Sequence, residues 1–170
     1  MSLYEASVPQ FKKFLTHVDK WFDKAEAYAK SKNFDPAVLL SSRLAPDQLP
    51  LLKQVQIATD SAKLGSARLT GKTAPTHADT ETSIAELRER IKTTIAFLET
   101  LTPKDFEGAE TRKVPLPAFP GKLALGQDLL FEQVLPNFFF HVTTTYAILR
   151  HNGVDLGKSD YIGIRTLQDA

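Results

Sequence analysis

The residues with the clearest chemical potential lie in one stretch, Pro136 to Gly153, which reads PNFFFHVTTTYAILRHNG. Asn137 and His141 are four positions apart, so on a helix they stand one turn apart on the same face. At this spacing two side chains can share a metal ion or a polar ligand. An amide oxygen binds transition metals weakly, so this pair needs a third group from elsewhere in the chain.

The same stretch carries start and stop signals of a single helix. Pro136 suits a first turn, where its missing N–H breaks no hydrogen bond. Gly153 follows the last periodic residue, at the position where a left-handed cap is favoured. Arg150 and His151 fall in the last turn, near the negative end of the helix dipole. The spacing therefore predicts one helix that ends just before Gly153.

One face of this helix is partly polar. Asn137, His141, Thr144 and Ile148 follow one another in steps of four and three, which places them on one line. Buried polar groups are costly unless they are paired. Two interpretations therefore stand: this line faces a solvated pocket, or its polar groups bond across to another helix.

A second helix, predicted over residues 48–70, supplies the polar side chains that could complete a site. Its stripe of mostly small residues permits close approach of a neighbouring helix, and Gln54, Gln56 and Asp60 flank that stripe. Only Asp60 is a strong metal-ligand type, and His141 is the candidate ligand on the last helix. Tyr146 is a further candidate, as a proton donor. The candidate pocket comprises Asn137, His141, Thr144, Gln54, Gln56, Asp60 and Tyr146.

The other histidines and a run of phenylalanines suggest surface roles. His17 lies off the main stripe of the first helix and His77 lies in a polar loop, so we expect both at the surface or its edge. Phe138, Phe139 and Phe140 cover three sides of a helix, so at least one should meet a second surface. That surface is either the hairpin or tail of this chain, or a second copy in a homodimer.

The periodicity of the chain predicts an all-α four-helix bundle with a long connection before the last helix. Ser2 with Glu5, or Ser7 with Gln10, caps the first helix. Ser83 caps the third helix, on which Glu86 and Arg90 are spaced to pair on an exposed face. Prolines and glycines exclude a helix in the long connection and favour a small hairpin there. The predicted helices cover residues 3–31, 48–70, 82–101 and 136–153, and the hairpin lies within 102–126.

Composition limits the classes of function. With 170 residues the chain fits a single domain, 1–170, and its 21 basic and 20 acidic side chains give a net charge of +1. That balance gives no electrostatic footprint for nucleic acid. The chain has no cysteine, so thiolate catalysis and disulfides are excluded. The N-terminus does not resemble a signal peptide and no segment predicts a membrane span, so we expect a cytoplasmic protein.

Two segments, LPNFFFHVTTTYAILRHNGVDLGKSDY and RLAPDQLPLLKQVQIATDSAK, resemble a bacterial domain-of-unknown-function branch of the DinB-like superfamily. The resemblance implies a four-helix bundle with a long crossover, often dimeric. It also implies a metal held by three histidines, one on the second helix and two at i, i+4 on the last. His141 matches the second histidine of that pair and Asn137 stands where the first should be. The second-helix histidine is absent, with Gln54 or Gln56 nearby.

These observations leave three hypotheses of function. The first is a bundle with a degenerate metal pocket that binds a small polar ligand without a resident cofactor. The second is a metal-dependent transferase or hydrolase of the DinB type, in which His141 holds zinc or nickel. The third is a non-catalytic homodimeric structural module.

Overall fold

The computed structural model describes residues 1–116 and 119–163. Four long helices form a bundle, as the periodicity predicted: α1 (Leu3–Lys32), α2 (Leu51–Thr70), α3 (Ile84–Glu99) and α4 (Leu135–His151). The shorter elements are 3₁₀-helices at Pro36–Ser41 and Pro103–Phe106, strands β1 (Lys113–Pro115) and β2 (Leu123–Leu125), a helical turn at Gly126–Asp128, a π-helical segment at Leu129–Val134, and α5 (Lys158–Ile162).

The four helices do not pack in chain order. Both α2 and α1 pack against α3 and against α4, which gives the order α1, α3, α2, α4 around the bundle. The connection before α2 and the connection before α4 must therefore cross an end of the bundle, because each joins helices at opposite corners. The four-helix bundle with a long connection before its last helix is confirmed.

The start of α1 resolves the choice between two caps. The Ser2 hydroxyl accepts a hydrogen bond from the Glu5 N–H, and the Glu5 carboxylate accepts one from the Ser2 N–H. The Ser7 hydroxyl instead donates to the Leu3 carbonyl, inside the helix. The helix therefore begins at Leu3 and accommodates Pro9 in its second turn. Its inward stripe is fully buried, as in Phe11, Leu15, Val18, Trp21, Phe22 and Ala25.

Local signals also set the bounds of α2 and α3. α2 begins at Leu51, three residues later than predicted, because Pro50 in extended conformation occupies the N-cap. It ends at Gly71, whose φ of 76° is the left-handed cap expected of glycine. Ser83 and Glu86 form the predicted capping box of α3. The pairing of Glu86 with Arg90 was wrong: the Glu86 carboxylate serves the cap, and Arg90 is buried.

The long connection contains the predicted hairpin. β1 and β2 pair antiparallel, with Val114 opposite Ala124. The turn between the two strands lies partly outside the described residues. After β2 the chain runs through the π-helical segment into Pro136, so α4 is preceded by a wider π turn just before the proline. A Cβ on Gly65 would lie 2.5 Å from Val134 of that segment, so α2 approaches it closely.

The three phenylalanines of α4 meet different surroundings. Phe138 is fully buried and meets Phe11 edge-on, with ring centroids 4.7 Å apart. Phe139 is half-buried, and its ring lies 5.0 Å from that of Phe14 on α1. Phe140 is 55% exposed. α4 ends just before Gly153, as predicted: Gly153 N–H donates to the Arg150 carbonyl and Val154 N–H to that of Leu149, which is a Schellman motif. In the described part of the chain, no helix combines the length and apolarity needed to cross a membrane.

Candidate functional site at the α2–α4 interface

His141 lies inside the bundle, on the face of α4 that packs against α2. Its side chain is only 7% exposed. Its Nδ1 lies 2.7 Å from Oε1 of Gln54, on α2. The ring of Phe140 stands edge-on to the imidazole, with centroids 5.2 Å apart. A histidine and an amide 87 positions apart in sequence are thus brought into direct contact.

The hydrogen bonds of Gln54 fix the tautomer of His141. Nε2 of Gln54 donates to the Leu49 carbonyl at 2.7 Å, and a carbonyl can only accept. Oε1 of Gln54 therefore faces the imidazole and accepts the proton carried by Nδ1. In the neutral ring this leaves Nε2 unprotonated, with its lone pair available. The amide thus orients the ring in the way that a second hydrogen-bonding partner orients a functional histidine.

The free nitrogen of His141 is accessible and unprotonated. No described residue hydrogen-bonds to Nε2, and Nε2 is not among the fully buried unpaired polar atoms of that part of the chain. A solvent molecule or a ligand can therefore reach it through the small exposed edge of the ring. Burial lowers the pKa of His141 below its ordinary value of 6.5, since the charged form loses hydration. The ring is therefore neutral at pH 7.

The rest of the polar line on α4 is paired as well. Nδ2 of Asn137 donates to the Ser61 hydroxyl of α2 at 2.7 Å, in an exposed position. The Thr144 hydroxyl, which is buried, donates to the Phe140 carbonyl one turn earlier in α4. Of the two interpretations of this line, the geometry favours bonds across to another helix. We call the two interhelical pairs, His141–Gln54 and Asn137–Ser61, the neutral seam.

Two concavities lie at the ends of the neutral seam. One, of about 170 Å³, is bounded by Asn137, Ser61 and Asp60 between α2 and α4. The other is an apolar groove of about 460 Å³ on α4, bounded by Thr144, Phe140 and by Leu44 of the segment before α2. His141 lies on α4 between Asn137 and Thr144 but lines neither concavity. The groove is lined by Phe140, the chain neighbour of His141, and by Thr144, one turn further along α4.

Three of the candidate residues lie away from His141. Gln56 is buried on another side of α2, where Nε2 donates to Glu81 at 2.7 Å. Asp60 binds Arg90 and Lys63, although it also borders the smaller concavity. The Tyr146 hydroxyl donates to the Leu156 carbonyl at 3.4 Å, and its ring packs on that of Trp21. The structure therefore brings His141 together with Gln54 and places Gln56, Asp60 and Tyr146 elsewhere.

A charged group of residues between α2, α3 and the loop that joins them escaped the sequence analysis. The Arg90 side chain is 1% exposed and forms ion pairs with Asp60 at 2.7 Å, Asp79 at 2.6 Å and Glu81 at 2.9 Å. Its Nε also donates to the Thr59 hydroxyl at 2.7 Å. We call Arg90, its three carboxylates, Lys63 and His77 the Arg90 cluster. A signal was present: Arg90 lies three residues after Leu87 and four before Thr94, both buried.

His77 belongs to this cluster and lies at the edge of the surface, which agrees with the prediction. Its ring is half-buried, with Nδ1 2.6 Å from Nζ of Lys63 and Nε2 2.9 Å from the Thr93 hydroxyl. An ammonium can only donate, so Nδ1 accepts and Nε2 carries the proton. Burial, then the charges of Lys63 and Arg90, lower the pKa of His77 below its ordinary value of 6.5.

The residues around His141 do not supply the donors that the DinB-like resemblance implies. Gln54 uses its amide oxygen for Nδ1 of the ring, and Asn137 is turned to Ser61. Within residues 1–116 and 119–163, no three His, Cys, Asp or Glu side chains converge in a way that could hold a metal ion. Metal sites of this class need such convergence. These side chains therefore do not fit a resident zinc or nickel ion.

The four-helix bundle with a long connection before its last helix is the architecture that the DinB-like resemblance implied. A family model described as "Domain of unknown function (DUF1993)" matches residues 3–162, and the chain belongs to that family. A solved crystal structure described as a DinB family member protein from Shewanella denitrificans is similar to it. The two are 49% identical with a TM-score of 0.95, over 99% of this chain and 96% of that one. No curated protein matches the chain.

Proposed function

We propose that the protein binds a small polar ligand, without a resident metal, through Nε2 of His141. The observation that carries this proposal is the Gln54 amide, which commits the Nδ1 proton of His141 and leaves Nε2 as an acceptor. A neutral imidazole acceptor selects a ligand that donates a hydrogen bond, such as a hydroxyl compound. Phe140 and Thr144, which flank the ring along α4, add an apolar and a polar neighbour for such a ligand.

Nitrogen NMR of the histidine rings tests this proposal directly. In the free protein at pH 7.5, the ¹⁵N shifts of His141 should report a neutral ring protonated at Nδ1. Phenol and benzyl alcohol are suitable probes, since both donate a hydrogen bond and carry an apolar body. Added in steps, either should move the Nε2 signal of His141 before the signals of His17 and His77. A response confined to His17 or His77, or an Nδ1 without a proton, would contradict the proposal.

A matched pair of variants separates ligand binding from fold stability. In Gln54→Glu, the carboxylate still accepts a hydrogen bond from Nδ1 of His141. Its negative charge also favours protonation of Nε2, and a protonated Nε2 can no longer accept a hydrogen bond from the ligand. Probe binding should therefore fall while the helices persist by circular dichroism. In Gln56→Glu, whose side chain lies on another side of α2, probe binding should match the wild type. The metal-dependent alternative predicts instead that purified protein carries near-stoichiometric zinc or nickel that His141→Ala removes.

A second candidate function is a homodimeric module, and Phe140 is the observation that favours it. This large apolar side chain is 55% exposed beside Leu44, which is 44% exposed, and both border the apolar groove on α4. An exposed apolar patch of this kind is typical of a protein interface. A dimer through this face predicts that Phe140→Asp shifts the sedimentation coefficient to that of a monomer. Phe131→Asp, at a residue 49% exposed outside this groove, is the control and should leave the dimer intact.

A further inference from the structure

The segment between α2 and α3, residues 71–83, is attached to the bundle by side chains. Among the described residues, no backbone–backbone hydrogen bond joins residues 72–82 to the bundle. Four side chains of the segment instead make the attachment. They are Lys72 to Asp105 and the Thr100 carbonyl, His77 to Lys63 and Thr93, Asp79 to Arg90, and Glu81 to Arg90 and Gln56. A segment held in this way is sensitive to the charge of its anchors.

Of these anchors, His77 is the one whose ordinary pKa lies between pH 5 and 8. Glu81 remains charged there: burial opposes ionisation, but the hydrogen bonds from Arg90 and Gln56 outweigh it and lower the pKa of Glu81. Arg90 is charged at every accessible pH. A drop from pH 7.5 to 5.5 therefore changes the charge of His77 and leaves the Arg90–Glu81 pair intact.

The bonds of His77 require a neutral ring. Nδ1 accepts from the Lys63 ammonium, which is itself 3% exposed, so a proton on Nδ1 removes the acceptor and puts two cations 2.6 Å apart. The other charged groups that face the ring are Arg90 from α3, Asp60 from α2 and Glu81 from the segment itself. The two carboxylates favour a protonated His77 ring. Both already form ion pairs with Arg90, however, and Asp60 also pairs with Lys63.

We propose that His77 is a pH-sensitive latch that holds the middle of this segment, residues 73–78, against α2 and α3, and that protonation of its ring in mild acid releases residues 73–78 while the bundle stays folded. The released state keeps the ion pairs of Arg90 and that of Lys72 with Asp105, which hold the two ends of the segment in place. It exposes the Lys63 ammonium and the face of α3 around Thr93.

The latch is tested by NMR on the intact protein across pH 7.5 to 5.0. The ¹⁵N shifts of His77 give its pKa, and the heteronuclear NOE of the amides of residues 73–78 reports their order. The NOE should fall with the same midpoint as the His77 titration, below pH 6.5, while α1 and α4 amides keep theirs. A His77 pKa at or above 6.5, an ordered segment at pH 5.0, or a simultaneous loss of order in α1 would overturn the proposal.

Two variants identify the groups that work the latch. His77→Gln keeps an acceptor for Lys63 but cannot be protonated, so the segment should stay ordered at pH 5.5. Lys63→Met removes the opposing cation, so the pKa of His77 should rise and the segment should again stay ordered. His141→Gln removes a different buried imidazole and should leave the wild-type transition unchanged. If His77→Gln releases the segment with the wild-type midpoint, His77 is not the latch.

Discussion

The neutral seam and the Arg90 cluster bury polar groups against opposite sides of α2 in different ways. In the seam, His141 donates from Nδ1 to an amide and leaves Nε2 free. In the cluster, His77 accepts at Nδ1 from an ammonium and donates from Nε2 to Thr93. The two imidazoles are thus opposite tautomers because one partner is an amide oxygen and the other an ammonium. Replacing both partners of a neutral pair by apolar groups costs little folding free energy. Removing one member of a buried charged cluster costs much more, because it leaves the remaining charges without a partner.

The largest effect should come from removing the centre of the Arg90 cluster. Arg90→Met leaves three carboxylates without their buried cation, and we expect a loss of about 3 kcal/mol in the free energy of unfolding. Urea denaturation at pH 7.5 measures it. Arg88→Met is the matched control, because Arg88 also contacts three carboxylates on α1 but is 24% exposed. Its loss should stay below about 1 kcal/mol. If Arg88→Met lowered the free energy of unfolding as much as Arg90→Met or more, burial of the arginine would not explain the difference between the two sites.

The neutral seam should respond differently to single and double substitution. Gln54→Leu leaves the Nδ1–H of His141 and the Leu49 carbonyl without partners, at a cost of about 1–3 kcal/mol. Adding His141→Leu removes the stranded donor, so the double variant should be more stable than Gln54→Leu alone. Urea denaturation of the two singles and the double completes the cycle. Simple additivity of the two losses would show that the pair does not act as a unit.

Mild acid should lower the free energy of unfolding through His141 of the seam, His77 of the cluster and, on α1, His17. The pKa values of His17, His77 and His141 are all lowered in the folded state, first by burial in each case. The unfolded chain, with histidines near 6.5, therefore binds more protons, and stability falls as pH drops below 6.5 toward the folded pKa values. Urea denaturation between pH 7.5 and 5.5 should show this fall, and His141→Gln should make it smaller. A stability that rises on acidification would contradict the assignment.

The smallest effect should come from the exposed end of the seam. Asn137→Ala removes a hydrogen bond to Ser61 that water can replace, so the free energy of unfolding should change by no more than about 0.5 kcal/mol. Ser61→Ala should behave alike. Thermal unfolding followed by circular dichroism is sufficient to check both. If Asn137→Ala lowered the free energy of unfolding as much as Gln54→Leu, the Asn137 end of the interface would be as inaccessible to water as the His141 end.

Sequence reasoning predicted the helices and their caps better than it predicted the contents of the site. The Ser83–Glu86 box, the Gly71 cap and the Gly153 stop all depend on residues within one or two turns, so local spacing is enough to find them. The partner of His141 could not be chosen between Gln54 and Gln56. These residues are two positions apart, and on a helix they point to different sides.

Arg90 shows why the remainder could not be predicted. Its spacing from Glu86 allowed an exposed pair, and nothing in α3 alone showed that the loop before it would fold back with Asp79 and Glu81. Likewise, the composition of residues 71–83 is that of a solvated loop. His77 is half-buried only because the loop packs against Lys63 of α2 and Thr93 of α3.

The amino-acid order alone determined that four amphipathic helices form, where they end, and that the imidazole of His141 turns inward, because periodicity and capping act over a few residues. The packing of the bundle decided which amide meets that imidazole, which arginine is buried, and which nitrogen of each ring holds the proton. Those choices depend on distances between side chains tens of positions apart, and such distances exist only once the helices are assembled.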